Sequence, residues 1–146
     1  MNPGKEQALA ERVVSAMMAK DAFSRRMGME VVDVRPRAAT VRMTVTGDML
    51  NGFGVCHGGV TFALADSALA FASNTHGTMT MSIENSITYP KGIREGDVLI
   101  AAAEEESASN RLAFYKVTVS REPGEIVALF RGTVYKTNTP FFPDPE

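Results

Sequence analysis

Residues 59–74 read Gly-Val-Thr-Phe-Ala-Leu-Ala-Asp-Ser-Ala-Leu-Ala-Phe-Ala-Ser-Asn. The run has a helix's length, and apolar residues occur almost all round it. A surface helix keeps a polar face, so a helix of this kind is wrapped by other structure. Its many alanines let a sheet approach closely. Asp66 is its only charge, and His76-Gly77 ends it. The segment therefore asks for a fold that surrounds one central helix.

The flanking sequence supplies the wrapping. Leu9, Val13 and Met17 recur at helical spacing among Glu6, Glu11, Arg12 and Lys20. They predict a surface helix from Lys5 to about Met27, stopped by Gly28 and filling most of residues 1–28. Strands are predicted over Glu30–Arg35 and Thr40–Thr46, with a bend at Pro36. In the second, Val41, Met43 and Val45 alternate with Thr40, Arg42, Thr44 and Thr46, the mark of a half-buried antiparallel strand. Gly47 to Gly58 reads as a loop.

Beyond the central helix the chain is strand after strand. Met79, Met81, Ile83, Ile87 and Tyr89 are expected on one face of a long strand, with Thr80, Ser82, Glu84, Ser86 and Thr88 opposite. Asp97 to about Glu105, Arg111–Arg121 and Glu125–Lys136 follow, the last two joined by a Glu122-Pro123-Gly124 turn. The tail, 137–146, with Pro140, Pro143 and Pro145, is expected to be loose. Helix, two strands, buried helix and four strands give one α+β domain spanning 1–146, an antiparallel sheet wrapped round a long central helix. Its sheet edges invite pairing with a second copy.

Bulk properties exclude several classes. Hydrophobic residues are 45 % and charged residues 22 % of the 146, which is ordinary for a globular chain. A net charge of -2 without a basic stripe argues against a nucleic-acid partner. Cys56 is the only cysteine, so no intrachain disulfide forms and the chain reads as intracellular. The N-terminus does not resemble a secretion signal, and no apolar run reaches the ~18 residues of a membrane helix. The expected location is the cytoplasm.

Asp66 is chemically out of place. A buried carboxylate costs several kcal/mol unless it is paired or its pKa moves. Either it caps or pairs with a neighbour, or it is a desolvated general base or nucleophile. Asn51-Gly52 and Cys56-His57-Gly58-Gly59 immediately precede its helix. Helix N-termini offer free N–H groups and partial positive charge, and glycines let a substrate oxygen approach. Such an end suits the carbonyl oxygen of a thioester. Gly58 and Asp66 are ~12 Å apart along one helix, too far to serve one reacting centre. Asp66 of one chain is therefore expected to meet the glycine end of another chain's helix, at a dimer interface.

The other candidates divide between function and structure. His57 is either an oxyanion helper or a loop histidine bonded to backbone. Cys56 and His57 are adjacent and point apart, which disfavours a thiol pair. Two histidines without matching spacing predict no metal site. Asn85 breaks an apolar row, and either bonds to the central helix or lines an acyl pocket. Lys91, Arg94 and Arg111 are either solvated charges or phosphate contacts. Ser73 and Asn74 are expected to be structural.

The stretch Met-Thr-Val-Thr-x-x-Met-Leu-Asn-Gly-x-x-x-Cys-His-Gly-Gly-x-x-Phe-x-Leu-Ala-Asp, Met43 to Asp66, resembles the phenylacetate-pathway thioesterases, the PaaI family of hot-dog proteins. Gly96-Asp97 and Val127–Gly132 agree with it, and the resemblance runs from about Asp21 to Lys136. It implies a hot-dog fold, edge-to-edge dimers that usually form tetramers, and hydrolysis of acyl-coenzyme A thioesters, aryl-acetyl groups favoured. It places the family's carboxylate on Asp66, its oxyanion donor on Gly58 beside His57, and its loop asparagine on Asn51. Gly59, Asn85, Lys91, Arg94 and Arg111 are the expected substrate contacts. Where the family often has Arg-Pro, this chain has Lys91-Gly92, so those coenzyme A contacts do not carry over directly. No cofactor is implied, coenzyme A being part of the substrate. Rival readings are a hot-dog dehydratase acting on hydroxyacyl thioesters and a non-catalytic acyl-CoA binding protein.

Overall fold

The computed structural model describes residues 2–143. In chain order its elements are α1 (Pro3–Lys20), α2 (Ala22–Arg26), β1 (Glu30–Arg35), β2 (Ala38–Thr44), a 3-10 turn (Gly47–Met49), α3 (Gly58–Asn74), β3 (Thr78–Thr88), β4 (Val98–Ala108), β5 (Leu112–Arg121) and β6 (Glu125–Pro140). All six strands form one antiparallel sheet in the order β1-β2-β4-β5-β6-β3. The sheet curls round α3, which is the hot-dog arrangement expected above.

The core sits between sheet and helix. Leu64, Ala65, Ala68, Leu69, Phe71 and Ala72 of α3 are at most 1 % exposed. They share one cluster with Val41, Met43, Leu99, Val117, Val119 and Phe130 of the strands. Each large side chain buried there contributes about 1.5–3 kcal/mol of transfer free energy. Ala101 and Ala103 on β4 belong to the same cluster, so small residues occur on the sheet as well as on the helix.

Three expectations change. The single helix to Met27 is broken at Asp21. That residue ends α1 and caps α2, its Oδ1 accepting the Ser24 N–H at 2.9 Å. A short acidic side chain competes with the helix for backbone donors in this way. The break also lets Ser24 turn inward, where its Oγ bonds Asp21 Oδ2 at 2.7 Å and Ser67 Oγ of α3 at 2.8 Å.

The tail from Thr137 is not loose over its first residues. β6 runs to Pro140, which pairs with Thr78, and Phe141 N–H bonds Gly77 O at 2.7 Å. Arg12 stacks on the Phe142 ring at 4.4 Å. The long β3 presents backbone groups that need partners, and Pro140 sits at the strand's end, where its missing N–H costs little. The end of the expected tail, 144–146, lies outside the described residues.

The third difference concerns faces. In β3 the register slips between Ser82 and Glu84, leaving Ile83 as the extra residue of a bulge. Before it, Ser82 pairs with buried Val134; after it, Asn85 pairs with buried Gly132 and Ile87 with buried Phe130. Thr80, Ser82, Asn85 and Ile87 therefore face α3, while Met79 and Met81 turn to the outer side, 44 % and 64 % exposed. A one-residue slip exchanges the two faces of a strand, which strict alternation cannot anticipate. The expected single apolar row does not exist, and Met79 and Met81 do not lie on the helix side with Asp66.

Candidate active site on the central helix

The N-terminus of α3 is built by its own loop. Asn51 Oδ1 accepts the Phe53 and Val55 N–H groups at 2.9 and 3.3 Å, folding residues 51–55 into a tight turn. Its carbonyl end is thereby committed to shaping the loop. His57 caps the helix, its Nδ1 accepting the Gly59 N–H at 2.9 Å. Of the two readings of His57, backbone bonding describes its Nδ1; in the neutral ring Nε2 then carries the proton. The Gly59 N–H is occupied by this cap. The Gly58 N–H has no hydrogen-bond partner among the described residues. It is the open donor at the positive end of a seventeen-residue helix.

A cleft of about 720 Å³ opens beside this end, lined in part by Phe23, Arg26, Met27, Met49, His57 and Val60. That volume and its mixture of apolar walls with a few polar groups suit a small-molecule ligand.

Asp66 lies two turns further along. Phe62, Ala63, Asp66 and Ala70 form the less covered stripe of α3, between positions that are fully buried. Among the described residues the carboxylate meets one polar group, the Asn85 side-chain amide, whose Nδ2 donates to Oδ1 at 3.5 Å. Burial pushes the Asp66 carboxyl above the usual carboxylate range, and no neighbouring charge offsets it. Asn85 is held in turn by Ser82, whose Oγ donates to Asn85 Oδ1 at 2.9 Å. A carboxylate with one long amide contact and a raised pKa can accept a proton from water.

The remaining candidates separate. Lys91 and Arg94 are exposed in the loop after β3, and the Arg94 N–H donates to Asp97 Oδ2 at 2.8 Å. Asp97 is paired with Arg121 at the end of β5, at 2.9 Å. Arg111 lies before the start of β5, bonded to Tyr135 Oη at 3.0 Å. The length of β5, ~30 Å at ~3.3 Å per residue, therefore divides Arg111 from the other two within one chain. Ser73 and Asn74 fasten the end of α3 to β3 through Thr80, at 2.8 and 3.0 Å. Among the described residues no three His, Cys, Asp or Glu side chains are grouped to hold a metal ion, and no helix is long and apolar enough to cross a membrane.

Sequence reading missed two residues here. Gly132, opposite Asn85 in β6, has no room for a side chain: a Cβ would stand 2.6 Å from Asn85 Oδ1 and 2.7 Å from Leu69 Cδ1. A glycine inside a strand is a signal for such close approach. Tyr89 donates its hydroxyl to Gly58 O at 2.7 Å, a contact across 31 residues that no local pattern shows.

Residues 53–128, which hold both ends of this site, match the family model described as the thioesterase superfamily. The chain belongs to the thioesterase superfamily. Similar proteins and solved structures show how much of the chain the likeness spans. The acyl-coenzyme A thioesterase PaaI of Escherichia coli is 34 % identical over 121 residues, covering 83 % of this chain and 86 % of that protein. The solved structure of E. coli PaaI, from the phenylacetic acid degradation operon, superposes with a TM-score of 0.89 at 31 % identity, over 92 % of this chain and 97 % of that one. A mutant structure of the phenylacetic acid degradation protein PaaI of Thermus thermophilus gives 0.77 at 39 % identity, over 80 % and 100 %. A Streptococcus mutans protein solved with acetyl CoA bound gives 0.74 at 25 % identity, over 77 % and 90 %.

Proposed function

We propose that this protein hydrolyses acyl-coenzyme A thioesters, phenylacetyl-CoA and related aryl-acyl groups first among them. One observation carries the reading. A single helix holds an uncompensated, half-buried carboxylate at Asp66 and an open N–H donor at Gly58. The relatives named above, one of them an acyl-coenzyme A thioesterase and one binding acetyl CoA, support the choice of substrate.

In the proposed reaction the Gly58 N–H donates to the thioester oxygen as negative charge develops on it. Asp66 removes a proton from water, the hydroxide forms a bond to the carbonyl carbon, and collapse of the intermediate breaks the carbon–sulfur bond. The leaving thiolate recovers the proton that Asp66 holds. Thiolates leave readily, so no strong acid is needed, and the scheme calls for no metal or cofactor. Along α3 the two groups are ~12 Å apart. Asp66 therefore acts on a substrate held by the Gly58 end of a second copy, and the working unit is a cytoplasmic homodimer or dimer of dimers. In this scheme Asn51 shapes the loop before the donor, Asn85 steadies Asp66, and Lys91 or Arg94 meets coenzyme A phosphate.

The test is release of free thiol from a panel of phenylacetyl, benzoyl and fatty acyl-CoA thioesters. Turnover fastest with the aryl-acetyl member is expected. Binding of every member without thiol release would sink the reading, and enoyl absorbance from a hydroxyacyl-CoA would replace it with a dehydratase.

A further inference from the structure

Tyr89 is the one side chain of the β3 end that bonds the backbone of the α3 N-terminus among the described residues. Its hydroxyl donates to Gly58 O at 2.7 Å, and its ring lies over the Gly58 Cα. A Cβ on residue 58 would stand 3.1 Å from Tyr89 Oη and 3.2 Å from Cζ. A side chain at residue 58 would press on the tyrosine, which would have to give by a few tenths of an ångström.

The strand reaches both ends of the site because its spacing matches that of the helix. From Asn85 to Tyr89 is four strand residues, ~13 Å; from Asp66 to Gly58 is eight helical residues, ~12 Å. The β3 bulge turns Asn85 and Ile87 towards α3, and Tyr89 follows two residues later. Asn85 then meets Asp66 while Tyr89 meets Gly58.

A glycine at a helix's first position has unusual backbone freedom. Three bonds remove it here. Tyr89 holds the Gly58 carbonyl, His57 Nδ1 holds the next N–H at 2.9 Å, and Val60 N–H holds the His57 carbonyl at 2.9 Å. The Val60 bond holds the peptide that carries the Gly58 N–H, and the Tyr89 and His57 bonds hold the peptide that follows it, so rotation about the Gly58 Cα is restrained from both sides. A donor aimed in advance at a developing oxyanion acts without reorganising when the charge appears.

We propose that Tyr89 is a positioning residue, which fixes the Gly58 N–H in the direction needed to hold the thioester oxygen in the transition state. The inference rests on the thioesterase reading. It goes beyond it by assigning a catalytic consequence to a hydroxyl that never touches the substrate.

The test compares wild type with Tyr89→Phe, which removes only the hydroxyl. The expected result is a kcat about tenfold lower with KM within twofold. Affinity for a trifluoromethyl ketone analogue of the substrate, which forms a tetrahedral adduct, falls in parallel. Affinity for the unreactive thioether analogue stays as it was. A merely structural role would move both inhibitors together or neither. Unchanged kcat and unchanged ketone affinity overturn the proposal. As a readout without substrate, nitrogen-15 relaxation of selectively labelled glycine is expected to show Gly58 more mobile in Tyr89→Phe. An order parameter equal to wild type overturns the latch. A wild type that releases no thiol counts against thioester hydrolysis, while the relaxation result still decides whether Tyr89 restrains Gly58.

Discussion

Among the described residues the Asp66 carboxylate has one polar neighbour, the Asn85 amide 3.5 Å away, delivered by a strand whose bulge turns Asn85 inward. Asn85 is neutral and its contact is long, so the carboxylate is oriented without being neutralised. This separates Asp66 from the paired surface acids, such as Asp97 beside Arg121 at 2.9 Å.

Replacing Asp66 with Asn keeps the shape and removes the base. We expect kcat to fall by about 10³-fold, consistent with loss of a general base plus its electrostatic role. The variant is expected to assemble and to keep its circular dichroism spectrum. Steady-state thiol release checks this, and activity within tenfold of wild type would remove Asp66 from the role.

The pH dependence follows from burial. Desolvation raises the Asp66 pKa in the folded protein above its ordinary 3.8. Folding therefore favours the protonated form. Asp66 helps the fold below the unfolded value and costs stability as pH rises through the folded value. Two results are expected. The acid limb of kcat/KM lies above pH 3.8, and it disappears in Asp66→Asn. At neutral pH that variant is expected to melt at a higher temperature than wild type, because the desolvated charge is gone. A lower melting point would contradict the desolvation argument.

Composite sites have a stoichiometric signature. Gly58→Pro removes the N–H at a first helical position, where proline is tolerated, and its Cβ displaces the Tyr89 ring by a few tenths of an ångström. Alone it is expected to be inactive, as is Asp66→Asn. After mixed refolding, half the dimers are hybrids with one intact site each, so about a quarter of wild-type activity returns. Zero recovery, with hybrids verified by mass spectrometry, would place both groups in one chain's site.

Gly132→Ala tests the packing behind Asn85. The added methyl meets Asn85 Oδ1 at 2.6 Å and Leu69 Cδ1 at 2.7 Å, with Phe130 Cε1 at 3.3 Å, so these side chains must shift to admit it. Overpacking of this kind costs about 1–3 kcal/mol. Urea unfolding is expected to show that loss, along with reduced kcat from a displaced Asn85. A midpoint equal to wild type would mean that the strand yields.

Ser24→Ala tests the seam between α2 and α3. It removes the bonds from Ser24 Oγ to Asp21 and to Ser67, and leaves the Ser67 hydroxyl buried without that partner. A cost of about 1–3 kcal/mol follows from the unsatisfied group. Thermal unfolding measures it, and the Ser24→Ala, Ser67→Ala double variant is expected to recover part of the loss.

Much of this protein was legible before folding. The apolar run 59–74 with its alanines could satisfy itself only inside a sheet, and the alternating segments around it had the number and length of strands to supply one. The lone Asp66 and the Gly58-Gly59 start of its helix marked the candidate site, because buried charge and open helix ends are costly and are read directly from residue order. Helical rise alone set Asp66 and Gly58 too far apart for one substrate.

Tertiary structure decided what depends on register and distance. A bulge at Ile83 reversed the faces of β3, turned Met79 and Met81 outward and gave Asn85 to Asp66. Alternation carries no mark of where a strand will slip, since the slip is chosen by packing against the helix and β6. The Tyr89–Gly58 bond, the Asp21 break that sends Ser24 to Ser67, and the separation of Arg111 from Arg94 are likewise contacts between distant segments. Local sequence determines which groups must be satisfied; only the folded chain determines which partners satisfy them.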